Sequence, residues 1–555
     1  MKYFKHSLII LLILSGISCK KSFLEKAPLD AIVNSNFYQT PEQLLQGTAS
    51  LYNIVWQGLN FKVVYEIEQR ANVIMWSGNT FKSFSVSSSN GQLLESWQSL
   101  YNTIGQCNLV IASVKQYTPA SVPEAAKNNA IAEARFIRAV TYSYLVQLWG
   151  EVPALDNNLT LLTDTTKTKN TIESIWDFMM SDMRYAARNL FPSSPQTGRL
   201  NKYSGEAMLA RFYLTRAGLG STNGKRRQSD LDSAAFYARS VIANGPFKML
   251  DDYEELFKMK NNNNAESIFA LQWVFGGFWG TQNATQAFTA FNSSITGSGD
   301  GWGGQIGAGL NTLRLYEDFV KDKRRRATFM FPGDRYSYIT QEIDSAGQKY
   351  KRPLIVPFTA DDNSYTKTPS RFAWIKKYVV GRPEDNEGKV ATMSTGINTY
   401  MMRMSEVYLT LAEALLGDNA STTNAEAVSA LNKVRVRAGL DPKPEITWHD
   451  IYRERMLEFA FENISTLDFG RLHYYDPQKA YQMLSAMNRG LYTIVPRPSI
   501  WNPASWEVVE STESDTQDFV TVNANNFYLS IPDMELVKAP SLKKPATPFV
   551  PTSTD

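Results

Sequence analysis

The residues best suited to do chemistry are aromatic rings set in small polar surroundings. Trp76 stands with Asn79 and Phe81 in a polar stretch that runs on to Gly91. Trp279 sits near the end of Val274-Phe275-Gly276-Gly277-Phe278-Trp279-Gly280, Trp302 lies in the glycine-rich interval 297–309, and Tyr336 follows further on. Glycine, serine and asparagine offer such rings little apolar surface to pack against. Their faces are then open to a ligand. Flat rings stack on the C–H faces of a polyhydroxylated ligand, while amides and carboxylates take its hydroxyls. Trp76, Asn79, Phe81, Trp279, Trp302 and Tyr336 are therefore the candidate binding residues. Trp97 and Trp149 fall in helical periodicity and read as core.

Other chemistry is thin. Gly299-Asp300-Gly301-Trp302-Gly303-Gly304 fits G-x-G-x-x-G. A dinucleotide site needs a buried strand before it, and the polar interval 289–296 is not one, so the run reads as a binding loop. No cofactor is implied. His449 and His473 stand alone, and with two cysteines there is neither a disulfide framework nor a cysteine zinc site. Cys107 reads as a small core residue. Glycosidase chemistry needs two carboxylates facing each other across a cleft. Glu133, Glu413, Glu454 and Glu458 instead lie on helices beside Arg or Ala, where ion pairs between packed layers are expected. No catalytic residue is assigned. Lys323-Arg324-Arg325-Arg326 and Lys225-Arg226-Arg227 read as solvated faces. The net charge is only +3, which argues against a strongly basic nucleic-acid binder.

The elements that must hold these rings are mostly helices. The chain has 555 residues, 43 % of them hydrophobic, enough for a sizeable core. Thr40-Pro41-Glu42-Gln43 offers an N-cap, a proline at the first helical position and a capping-box glutamine. Ser229-Asp230, Thr423-Asn424 and Thr447-Trp448 offer further starts. Apolar residues at helical spacing pair 202–217 with 231–243 and 404–416 with 426–438; 131–149 and 172–190 belong to two more pairs. Alanine opposite Tyr or Leu lets such helices approach closely, as in tetratricopeptide hairpins, and stacked pairs make a curved solenoid. The fold class expected is mainly α: a tetratricopeptide-like solenoid of helical hairpins with an inserted, irregular, loop-rich lobe. The regions are a helical one over 19–272, the lobe on the ligand side over 273–399, and a helical one over 400–555 that completes the solenoid.

The N-terminus reads as an address. Lys2, Lys5 and His6 precede the apolar run 8–14, then Ser15-Gly16-Ile17-Ser18-Cys19. This is the pattern of a secretory signal peptide over 1–18. The run is too short to span a bilayer, which takes about 20 residues. Small residues before Cys19 look like a bacterial lipobox, with Gly16 where an aliphatic residue is usual. Cys19 is the expected lipidation site, and acylation there would anchor the chain to a membrane.

Several segments, in order along the chain, resemble the SusD/RagB family of outer-membrane nutrient-binding lipoproteins. They are Phe23-Leu24-Glu25 with Pro28; Trp97, Leu100-Tyr101, Ile104 and Cys107-Asn108-Leu109-Val110-Ile111; and Ala132-Glu133-Ala134-Arg135-Phe136 through Trp149-Gly150-Glu151-Val152-Pro153. Tyr316-Glu317-Asp318-Phe319, Arg403-Met404-Ser405-Glu406, Asn432-Lys433-Val434-Arg435 and Leu529-Ser530-Ile531-Pro532 follow. After Phe461-Glu462 the sequence departs, with Asn463-Ile464-Ser465 where the family has a Gly-His-Arg run. The resemblance implies a lipoprotein on the outer membrane, facing the cell exterior, that captures oligosaccharide, peptide or another large nutrient. It implies delivery to a SusC-like, TonB-dependent outer-membrane transporter, and no enzymatic activity. A lipid-anchored glycan hydrolase and a tetratricopeptide scaffold that binds proteins are the alternatives.

Overall fold

The computed structural model describes residues 37–60, 64–76, 81–158, 166–221, 224–357, 372–498, 504–511 and 517–552. Cys19, Asn79 and the leader 1–18 lie outside them.

The chain is mainly α. After α1 (Pro41–Ala49) come α2 (Gly91–Tyr117), α3 (Glu124–Trp149), α4 (Ile172–Asn189), α5 (Lys202–Arg216) and α6 (Gln228–Asn244). Each of α2 to α5 packs on the next in sequence. The chain then leaves the stack and returns as α7 (Met404–Leu416), which packs on α6, and α8 (Ala425–Arg437), which packs on α7. α9 (Trp448–Glu458), α10 (Ser465–His473) and α11 (Pro477–Ser485) follow.

The caps explain where the helices begin. Thr40 accepts from the backbone N–H of Gln43, and Gln43 reaches back to the N–H of Gln39. Thr447 and Asp450 form a full capping box on α9. Two starts differ from the sequence reading. Asn424, not Thr423, caps α8, and α6 begins at Gln228, ahead of Ser229. Asp230 is occupied instead by Arg216 and Arg227.

α3 is buried without a break from Asn129 to Trp149. A helix covered on every side needs partners for its polar groups. Arg138 has Asp182 of α4 at 2.8 Å, and Glu133 has Arg199 at 2.8 Å. Trp97 and Trp149 meet edge-on in this core, 5.7 Å between ring centres. Cys107 is buried there too, and burial pushes its thiol pKa up.

The segment between α6 and α7 is not all loop. Its base is a strand pair, β2 (Ser267–Leu271) with β8 (Thr399–Arg403), which sets the outgoing and returning chain side by side. Three of its strands, β3 (Ile306–Ala308), β7 (Trp374–Ile375) and β4 (Phe329–Met330), form a sheet with β1 (Ile74–Trp76) from the N-terminal part, in the order β1-β3-β7-β4. β5 (Arg335–Ser345) and β6 (Gln348–Ile355) form a hairpin that the loop reading did not anticipate. Its turn, Ala346-Gly347, has both φ positive, as a tight hairpin turn requires. A second hairpin, β9 (Tyr492–Arg497) with β10 (Ser505–Glu510), lies in the C-terminal part. One hydrophobic cluster draws Ile74, Tyr253, Ile306, Met456 and Phe527 together, so this segment shares its core with both ends of the chain.

The two basic runs are corrections as well. Arg324 is fully buried, held by Asp322 and Glu454 at 2.7 Å each, and Arg325 is buried on Asp334. Arg226 is buried between Glu413 and Asp418. Lys225, Arg227 and Lys323 are exposed, but Arg226, Arg324 and Arg325 are not solvated. Their guanidiniums fix helices to one another.

Candidate functional site

Two of the predicted rings stand out in solvent. Trp279 is 66 % exposed and Trp302 is 53 % exposed, values no core tryptophan here approaches. The segment that carries Trp279 is a tight loop. Val274 donates to the Thr281 carbonyl at 2.7 Å, and Thr281 N–H donates back to the Phe278 carbonyl at 3.0 Å. Gly280 N–H donates to the side chain of Gln282. Gly280, with φ +99, packs its backbone close to Ile54, and a Cβ there would sit 3.5 Å from the Ile54 side chain. Phe278, next to Trp279 in the same loop, is 86 % exposed.

Trp302 is presented differently. The short helix Thr285–Thr289 supplies Phe288, whose ring meets Trp302 edge-on at 5.3 Å. The backbone N–H groups of Gly301 and Trp302 both donate to the Ala287 carbonyl. This close approach explains the glycines. Gly301 has φ +111, and a Cβ there would sit 2.5 Å from the backbone of Asn292; one on Gly303 would sit 2.3 Å from the Thr289 carbonyl. The G-x-G-x-x-G run is thus a packing turn that seats a tryptophan on a helix, and no strand leads into it.

Trp76 is half-buried at the end of β1, paired in register with Ile306, four residues beyond Trp302. The loop that carries Trp302 therefore leads directly into the strand that borders Trp76. Two candidates are not exposed at all. Phe81 is fully buried in the helical core. Tyr336 is fully buried in the cluster of Ile339, Leu354 and Trp374, with its hydroxyl donating to the Arg326 carbonyl at 2.8 Å. Burial raises its pKa far above the usual range. Neither offers a ring face to solvent. Phe278 was missed, although the aromatic–glycine run around it marked the loop.

Glu133, Glu413, Glu454 and Glu458, all on helices, are held in ion pairs. Glu133 also accepts from Tyr52, Glu413 lies between Arg226 and Arg471, and Glu454 lies between Arg324 and Arg435. Glu458 meets Arg403 at 2.8 Å and Arg437. Neighbouring guanidiniums outweigh burial and hold Glu413 and Glu458 down at about 2. Among the described residues, no group of three or more His, Cys, Asp or Glu is arranged to hold a metal.

Known proteins share this architecture. Residues 249–547 match the model of the SusD family, and 22–214 match one described as starch-binding associating with outer membrane. A SusD-like protein of Bacteroides ovatus is 34 % identical over 96 % of both chains. A SusD-like protein of Formosa agariphila, P25, is 24 % identical over 82 % of this chain and 86 % of its own. A structure solved with xylogluco-oligosaccharide superposes with TM-score 0.80 at 31 % identity, covering 92 % of this chain and all of the other. Surface glycan-binding protein A from Bacteroides thetaiotaomicron, solved with laminarihexaose, shares the fold at TM-score 0.64 and 19 % identity, covering 91 % of this chain and 98 % of its own. From its helical stack to its terminal segments, this chain belongs to the SusD family.

Proposed function

We propose that this protein captures oligosaccharide by stacking sugar rings on Trp279 and Trp302, with Trp76 at the edge of the same face. The carrying observation is the exposure of two tryptophans on loops whose backbones are tied down. A ring held in place loses little freedom when a ligand arrives, so more of the stacking energy appears as affinity. The relative solved with xylogluco-oligosaccharide supports a plant-type β-glucan as the first ligand class to try. Capture is followed by delivery to a TonB-dependent outer-membrane transporter, and the chain is tethered through Cys19. The family assignment supports both steps. The protein binds its ligand without cleaving it.

The test is titration calorimetry with xylogluco-oligosaccharide and laminari-oligosaccharide. Trp279→Ala and Trp302→Ala should each weaken binding by about tenfold, since one stacked ring is worth roughly 1 kcal/mol or more and 1.4 kcal/mol is a factor of ten. Both rings are exposed, so melting temperature should not move. Unchanged affinity in both variants would sink the stacking face, and released reducing ends would sink the non-enzymatic reading.

A further inference from the structure

A cleft of about 590 Å³ is lined in part by Val274 and Phe275, from the loop that carries Trp279. Its floor is aromatic: Phe257, Phe275 and Tyr338. Lys258, Lys260 and Lys389 stand around it. The volume is in the range of small-molecule sites, and an apolar floor with a few polar groups is their usual make-up.

Two segments build both this cleft and the exposed face. The loop that presents Trp279 also supplies Phe275. The strands Val390–Ala391 and Ser394–Thr395 pair in a small hairpin whose flanking residues, Lys389 and Gly396, line the cleft. The tip of that hairpin holds the loop leading to Trp302: Met393 N–H donates to Asp300 at 2.7 Å, and Thr392 donates to the Ser298 carbonyl. The cleft is thus continuous with the ring-bearing loops.

Its charges nearly cancel. Lys258 pairs with Glu255, and its ammonium lies 4.3 Å from the centre of the Tyr338 ring. Lys389 pairs with Glu387 at 2.6 Å. Asp385 is occupied by the N–H groups of Thr340 and Arg382. A phosphate or sulfate would find no excess of positive charge to offset its loss of water. A neutral polyhydroxylated ring would find an aromatic floor together with paired donors and acceptors.

We infer that this cleft is a second saccharide subsite, which takes a neutral side branch of the oligosaccharide whose backbone lies on Trp279 and Trp302. The inference rests on the capture reading above and adds the ligand's branching to it. Branch recognition predicts that the protein tells a branched glucan from a linear one of the same backbone.

The experiment compares xylogluco-oligosaccharide with an unbranched cello-oligosaccharide of equal backbone length, by calorimetry. Phe275→Ala should weaken the branched ligand about fivefold and change the linear one by less than about twofold. Lys260 is exposed, so Lys260→Ala keeps the fold; it should weaken only the branched ligand, by about two- to threefold. If both variants bind both ligands as wild type does while Trp279→Ala is impaired, the cleft is overturned and capture on the rings stands. If Phe275→Ala loses the branched ligand while Trp279→Ala binds both normally, the cleft is upheld and the ring face fails. Equal loss of both ligands in Lys260→Ala would also overturn branch recognition.

Discussion

Arg403 is 1 % exposed, and its guanidinium reaches Glu266 at 2.7 Å, Glu458 at 2.8 Å and Glu462 at 2.7 Å. Those carboxylates come from the residue just before β2, the end of α9 and the turn after it, so one side chain joins three parts of the chain. Arg437, 3.0 Å from Glu266, and Lys377, 2.8 Å from Glu462, complete the neutralisation. Removing one partner of a buried cluster leaves charge without compensation, which costs about 3–5 kcal/mol. Arg403→Ala should lose that much in urea denaturation at pH 7; a loss below about 1 kcal/mol would mean that Arg437 and Lys377 suffice. The pH dependence has a definite sign. Glu413 and Glu458 are held at about 2 when folded, below the ordinary carboxylate value of about 4.3. Their contribution is therefore fully present above that ordinary value and disappears as pH falls towards 2. Wild type should weaken across this window, and Arg403→Ala should weaken less, having lost part of what acid removes. At this scale the sequence was readable where a residue sat in a periodic helix. Cys107, Trp97, Trp149 and the pairing of Glu133, Glu413, Glu454 and Glu458 all follow from helical position. It was unreadable where the deciding neighbour was distant. Arg324 looks solvated until Glu454, 130 residues on, is set beside it. Tyr336 sits in polar sequence, yet the residues that cover it come from other strands.

The helices were legible as elements because period 3.6, cap residues and alanine contacts agree along α5 to α8. The β5–β6 hairpin was not, although Tyr336, Ile339, Gln341 and Ile343 are buried and their neighbours are not. Lysines along β6 and an irregularity between Tyr336 and Thr340 obscured the alternation. The C-terminal segment was likewise invisible as a structural element, since it contributes by wrapping the helical stack. Leu529 donates to the Leu148 carbonyl at 2.8 Å, and the Trp149 indole donates to the Ser530 carbonyl at 3.0 Å. Further on, Thr547 exchanges backbone bonds with Lys169 and Thr171, and Phe549 lays its ring 4.9 Å from Phe178. This strap packs on α2, α3 and α4, and none of these contacts involves Trp279 or Trp302. Phe549→Ala should therefore lower the unfolding free energy by about 1–2 kcal/mol, the worth of a partly buried aromatic, and leave oligosaccharide affinity unchanged. Chemical denaturation and calorimetry on one preparation check both halves. A stability change under about 0.3 kcal/mol would mean that the strap merely lies on the surface.

For the molecule as a whole, the helical stack and the ring face divide the work. Each helix contacts mainly its neighbours, as in other solenoids, and the chain leaves this frame between α6 and α7 to build the exposed loops. The candidate lipid site, Cys19, lies ahead of α1 in the chain. No helix among the described residues is long and apolar enough to cross a membrane. On the proposed reading the acyl chains alone therefore hold the protein to its membrane. Each buried CH₂ contributes about 0.8 kcal/mol, and two or more chains are needed for stable anchoring. Cys19→Ser removes the acceptor sulfur and none of the residues that carry the ring face. Expressed from the full-length gene, this variant should move from the membrane pellet to the soluble fraction and should lose incorporation of labelled palmitate. Its affinity for xylogluco-oligosaccharide should equal that of wild type, because no contact among Trp279, Phe288 and Trp302 depends on the tether. Growth on the ligand should nevertheless fall, since a binder released from the membrane no longer holds its cargo over a transporter. If Cys19→Ser still sediments with membranes, attachment lies elsewhere in the molecule. If it is released but growth is undiminished, capture and delivery do not require the tether.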